Sequence, residues 1–165
     1  MPDVDLPSTL DGTVNLYTRY GAAIVFVYPY SGTPGLPNPP DWDTIPGAHG
    51  STPQAEGFSD HYAEIIAQGH EVFGLSSQTT AYQRDFAERL ALPFAILSDH
   101  NFKVADALRL PRFETGGVKY LKRLTLIIRN GALERVFYPV HPPHIHAREL
   151  PVILRANQKV PRAQD

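Results

Sequence analysis

Apolar positions along this chain fall into two kinds of pattern, short unbroken runs and helical spacings. Ala22 to Tyr28 is a continuous stretch of β-branched and aromatic residues, the pattern of a strand covered on both faces, and Pro29 ends it. Residues 71–76 and 94–97 give two further short strands, and Val14 to Thr18 alternates weakly, as a short edge strand would. Phe58, Tyr62, Ile65 and Ile66 share one helical face in a segment that opens at Ser51 and stops at Gly69. Ser51 followed by Gln54 matches a capping box, and Pro53 suits a first helical turn. Tyr82, Phe86 and Leu90 mark a second helix over 79–90, and residues 102–108 a short third one. Residues 121–129 and 133–138 form a hairpin about Asn130-Gly131, a strong turn signal. Residues 147–157 make a final helix, and 158–165 a polar tail expected to fray. This order predicts one α/β domain over 1–165: a central mixed, mainly parallel β-sheet flanked by helices on both faces.

Tyr30 to Gly50 is rich in proline and glycine, carries the lone Trp42, and predicts no regular structure. A loop of this length inside a compact domain is usually functional or mobile. Composition narrows the function. A net charge of −2 leaves no electrostatic footprint for nucleic acid. The longest wholly apolar run, Ala22 to Val27, is too short to span a bilayer. The first residues lack a basic segment followed by an apolar one, so the expected location is cytoplasmic. The chain has no cysteine, which excludes disulfides, iron–sulfur clusters and thiolate zinc sites.

Four blocks, in order over roughly residues 14–140, carry a family resemblance. Val25-Phe26-Val27-Tyr28-Pro29 is followed by Thr33-Pro34-Gly35, and then by Gly50-Ser51-Thr52-Pro53-Gln54. Val72-Phe73-Gly74-Leu75-Ser76 continues through Phe86-Ala87-Glu88-Arg89-Leu90 to Leu92-Pro93-Phe94-Ala95-Ile96-Leu97-Ser98-Asp99. Arg123-Leu124-Thr125-Leu126-Ile127-Ile128-Arg129-Asn130-Gly131 is the last. The chain resembles the peroxiredoxins, the AhpC/TSA superfamily, and within them the bacterioferritin-comigratory or Q-type branch, with Ser51 where the reactive cysteine stands. The resemblance implies a thioredoxin-like fold and reduction of hydroperoxides through a thiolate, without metal or organic cofactor.

A thiolate nucleophile needs a lowered pKa, which a helix N-terminus and a nearby permanent cation both supply. Position 51 is placed at a helix start, and Arg123 matches the family's active-site arginine. Gln54 lies one turn into the helix, where it can orient that guanidinium. Pro29 is expected to shield the site from water, and Thr33 to hydrogen-bond the thiolate or the peroxide. Two departures stand out. The family's threonine, three residues before the cysteine, is Ala48 here, as though residues 36–50 were inserted after the Thr-Pro-Gly turn. The Q-type resolving cysteine, five residues after the nucleophile, is Glu56. The intact enzyme would therefore be of the one-cysteine kind, its sulfenic acid reduced by an external thiol (thioredoxin-, glutaredoxin- or glutathione-like), in a monomer or homodimer.

Serine cannot replace the thiolate, because its hydroxyl is far less acidic and holds no sulfur to oxidise. The chain as written is expected to be inactive. One explanation is an engineered Cys-to-Ser replacement, since serine is the nearest isostere and the flanking features are intact. The alternative is a natural, redox-dead thioredoxin-fold module that binds a partner or a small oxygen-rich ligand, with Trp42 and the 36–50 loop as a wall or contact surface. Two further histidine groups offer chemistry. His141, His144 and His146 sit among prolines with no carboxylate pattern and predict a surface loop after the last strand, not a metal centre. His49 beside Ser51 suggests a hydrolase, but residues 49–53 read His-Gly-Ser-Thr-Pro and lack the nucleophile-elbow glycines.

Overall fold

The six residues of β3 (Ala22–Val27) are buried on both faces, and this strand is the centre around which the rest assembles. In the computed structural model, which describes residues 1–158, β1 (Asp5–Pro7) and β2 (Thr13–Asn15) precede it, paired with each other as a separate antiparallel ribbon. The short edge strand expected at 14–18 is β2, and β1, its partner, has no pattern that announces it. After the long loop come α1 (Ser51–Asp60), α2 (Tyr62–Ala67), β4 (His70–Ser76), α3 (Thr80–Arg89), β5 (Ile96–Ser98) and α4 (Lys103–Ala107). The chain then forms β6 (Arg112–Thr115), β7 (Val118–Leu121), β8 (Leu124–Arg129), β9 (Ala132–Phe137) and α5 (Pro143–Gln158).

The central sheet has the order β5-β4-β3-β8-β9. β3, β4 and β5 run parallel, and β8 and β9 add antiparallel strands beyond β3. Period-two alternation along β3 splits the core into two layers. Ile24, Phe26 and Tyr28 face Phe58 of α1, Ile65 of α2, Phe86 of α3 and Leu150 of α5. Val25 and Val27 face Val104 and Ala105 of α4, together with Leu6 and Leu16. Helices thus cover both faces, as the alternation of elements predicted.

Four local readings are corrected. The segment from Ser51 to Gly69 is two helices, broken at His61, and Ile66 on the supposed apolar face is exposed. The predicted capping box does not form: Gly50 is the N-cap of α1, no side chain caps it, and the Gln54 side chain is used elsewhere. The strand expected from residue 121 is two elements, because Leu121 ends β7 and Lys122-Arg123 link it to β8. The hairpin β6–β7 itself was unforeseen. Fourth, residues 143–146 are not a loop but the opening of α5, with His144 exposed and His146 half-buried between the rings of Phe58 and Phe137. The Asn130-Gly131 turn is as expected: both residues have positive φ, 48° and 76°, and a β-carbon on Gly131 would lie 1.9 Å from the Tyr17 carbonyl oxygen. Residues 159–165 of the predicted tail lie outside the described residues.

The long loop carries one short 3-10 turn, Trp42–Thr44. Trp42 is 4% exposed and packs edge-on against Tyr30 and Tyr120, with Phe113 also in contact. The loop is therefore pinned to the β6–β7 hairpin by a small aromatic core of its own.

Candidate active site

Arg123 precedes β8 and turns its guanidinium toward the start of α1, where it is 4% exposed. Nη1 donates to Oε1 of Gln54 at 2.5 Å. Nη2 faces four oxygens: the carbonyls of Gly47, Ala48 and His49 at 3.3, 3.4 and 3.0 Å, and Oγ of Ser51 at 3.3 Å. All these acceptors are neutral. Burial lowers the Arg123 pKa to about 10, so the group remains a cation at neutral pH. A buried cation without a carboxylate partner is costly, and it is tolerated where an anion is to be bound or stabilised.

Ser51 occupies the first turn of a ten-residue helix. Its position adds free backbone N–H groups and the positive end of the helix dipole to the field of Arg123. Gly50 makes this approach possible. It has φ 112°, and a β-carbon there would come within 2.5 Å of Cγ of Pro143 at the start of α5. A left-handed residue without a side chain lets α1 begin tight against α5.

The structure brings three of the five sequence-predicted residues into direct contact, namely Ser51, Gln54 and Arg123. Thr33 lines the same cleft of about 450 Å³ as Ser51, with Trp42 and Arg89 among the walls. Its hydroxyl donates to the Tyr82 hydroxyl at 2.9 Å, and Tyr82 in turn pairs with Tyr30 at 2.9 Å. No hydrogen bond joins Thr33 to Ser51 among the described residues. Pro29 is buried at the end of β3 and is not among the residues lining the cleft. His49 lines the cleft, and its Nε2 pairs with Asp43 at 2.7 Å, so the described contacts supply no Ser-His dyad. Ala48, in the place of the family's threonine, is buried within the Trp42–Tyr120 cluster.

Two participants escaped sequence reasoning. The carbonyls of 47–49 cradle the guanidinium; the glycines at 47 and 50 were the available signal, since both take positive φ. Tyr82 was read as part of an apolar helical stripe, but its hydroxyl reaches the cleft through Thr33.

Known proteins resemble this chain in sequence and in fold. The AhpC/TSA family matches residues 45–136. Peroxiredoxin bcp1 of Schizosaccharomyces pombe is 32% identical over 101 residues, covering 60% of this chain and 44% of that protein. The chloroplastic peroxiredoxin Q of Oryza sativa subsp. japonica is 27% identical over 133 residues, covering 81% and 54%. The chain thus spans about half the length of these curated relatives. Among solved structures, the bacterioferritin comigratory protein of Xanthomonas campestris superposes with a TM-score of 0.75 at 20% identity, covering 95% of this chain and 93% of that one. This likeness establishes the thioredoxin-like fold.

Proposed function

The chain belongs to the AhpC/TSA family, and from that membership we propose that its site is that of a one-cysteine thiol peroxidase with a hydroxyl in the nucleophile's place. The observation that carries the reading is the 3.3 Å contact between Arg123 Nη2 and Ser51 Oγ inside a ring of neutral acceptors. A sulfur at that position would supply the anion the guanidinium lacks. Its thiolate attacks the terminal oxygen of a hydroperoxide, the O–O bond breaks, and the sulfur is oxidised to sulfenic acid. The departing oxyanion is stabilised by Arg123 and the helix N-terminus and takes a proton from water. One external thiol then condenses with the sulfenic acid to a mixed disulfide and releases water, and a second external thiol attacks that disulfide, freeing the protein thiol and leaving the reductant as its disulfide. In this reading the substrates are hydrogen peroxide or organic hydroperoxides, Gln54 orients the arginine, and the chain with Ser51 does not turn over.

A second reading is favoured by Ala48. A single engineered replacement accounts for Ser51 but not for the buried alanine where the family's threonine stands. A natural module that kept the cationic niche for binding, and lost both hydroxyl and thiol, accounts for both. Ser51→Cys with dithiothreitol as reductant separates the two. Peroxide consumption that Arg123→Ala abolishes supports the peroxidase ancestry of the site, and a cysteine variant that folds but leaves peroxide untouched supports the binding module. The codon for residue 51 in the native gene decides whether the serine is engineered.

A further inference from the structure

Arg123 touches Ser51 through Nη2, yet the cavity whose wall it forms is not the Ser51 cleft. This second cavity, with Pro46 and Gly47 in its wall, has a volume of about 420 Å³. Its cationic and polar walls are Lys122, Arg123, His141 and Tyr138, and its apolar walls include Phe113 and Val140. Among the described residues lining it, none is acidic. Nη1 and Nη2 of Arg123 are engaged by Gln54, Ser51 and the 47–49 carbonyls, while Nε is buried and has no hydrogen-bond partner. An arginine with one donor unspent, lining a recess with a lysine and no acidic residue, favours an anion there. The apolar walls ask for more than a bare ion: a site of this size with convergent polar groups at one end suits a small organic molecule.

We propose that this cavity binds a small organic carboxylate, its oxygens at the end formed by Lys122 and Arg123 and its apolar body against Phe113 and Val140. The bound anion supplies the counter-charge that the Ser51 side of the arginine lacks. The proposal needs Arg123 to be a buried cation, which the geometry gives, and does not depend on any peroxide chemistry at position 51.

The test uses the chain with Ser51 as it stands and benzoate as probe, with titration calorimetry as the measurement. Fluorescence of Trp42, whose ring lies 5.6 Å from that of Phe113, is a second readout. Benzoate is expected to bind and its neutral isostere benzamide to bind at least about tenfold more weakly, the loss of a charge-assisted contact. Lys122→Gln, which keeps the stem and removes the charge, is expected to weaken benzoate about tenfold. Arg89→Gln, which removes a cation from the Ser51 cleft instead, is expected to leave it unchanged. Three results overturn the proposal: no benzoate binding, equal binding of benzamide, or sensitivity to Arg89→Gln with indifference to Lys122→Gln. The last would place the anion in the Ser51 cleft. Inorganic phosphate binding as tightly as benzoate would overturn the assignment of an organic ligand. Because none of these readouts involves turnover, a failure here is distinct from a failure of Ser51→Cys to consume peroxide.

Discussion

Gln54 and Arg123, 69 residues apart in sequence, meet in a buried hydrogen bond in which the amide oxygen accepts from Nη1. The bond ties the first turn of α1 to the link between β7 and β8, so the two halves of the site are fixed to one another. Gln54 is fully buried, and its Nε2 has no partner. The amide is thus kept for its oxygen alone.

Gln54→Leu should therefore be more damaging than its shape suggests. It leaves Nη1 of a buried guanidinium without an acceptor, a loss of about 1.5–3 kcal/mol. Denaturant unfolding should show a lower midpoint with an unchanged slope. Gln54→Glu should recover or exceed the original stability at neutral pH, because it places a carboxylate against the unpaired cation. If the leucine variant is as stable as the parent, the bond is an ornament of the fold and not its link.

Ala48 tests how far the site has departed from its relatives. The residue is 1% exposed and touches the cluster of Trp42 and Tyr120, so a threonine must push those rings apart. Ala48→Thr should cost about 1–2 kcal/mol by overpacking. In a Ser51→Cys background the same change should raise the rate of peroxide consumption, since Ala48 also lines the cleft that holds position 51. A threonine that lowers both stability and rate would mean that the cleft has been remodelled beyond recovery.

What the sequence made legible, and what it hid, divides along physical lines. The β3 run needs no context, because six consecutive apolar residues demand two covered faces, and Asn130-Gly131 needs none, because its left-handed angles are local. Ser51, Gln54 and Arg123 were legible from the resemblance, and the fold brings them together. The β6–β7 hairpin was hidden because long-range packing holds it. Phe113 and Tyr120 are cross-strand partners stacked at 5.5 Å, and both rings contact Trp42, which arrives from a loop 71 residues before Phe113. The start of α5 was hidden for a related reason. Its prolines signal a loop, yet this segment is held by its packing on Gly50 and Gly57 of α1. The capping box failed because the cap falls one residue earlier, on Gly50, and the Gln54 oxygen accepts from the buried guanidinium instead.

Gly50 is the hinge point of that packing. Gly50→Ala should lose about 2–3 kcal/mol, from the left-handed φ and from the collision with Pro143. The two causes separate in a double mutant. Pro143→Ala removes the 2.5 Å contact but not the backbone strain, so the pair should recover only part of the loss. Complete recovery would assign the whole effect to the α1–α5 contact, and no recovery would assign it to φ alone.

His146 gives the molecule a predictable acid weakness. Burial between Phe58 and Phe137 lowers its pKa from 6.5 to about 4, and Nε2 has no partner. His70 moves in the same direction, through burial first and the nearby charge of Arg129 second. A histidine whose folded-state pKa lies below its unfolded value binds its proton more readily when the chain unfolds. The neutral ring's contribution is therefore complete above about pH 6.5 and is lost as the pH falls toward about 4. For His146 the loss is on the order of 2 kcal/mol, after discounting for the ring's partial contact with solvent. Urea unfolding at a series of pH values, compared between the parent and His146→Phe, isolates this share because the carboxylates and His70 titrate alike in both. The parent should lose stability more steeply between pH 6.5 and 4, by about that amount, and the two curves should run parallel above pH 7. Curves that stay parallel throughout would mean that the imidazole is hydrated in the folded chain, and the acid sensitivity would then belong to other groups.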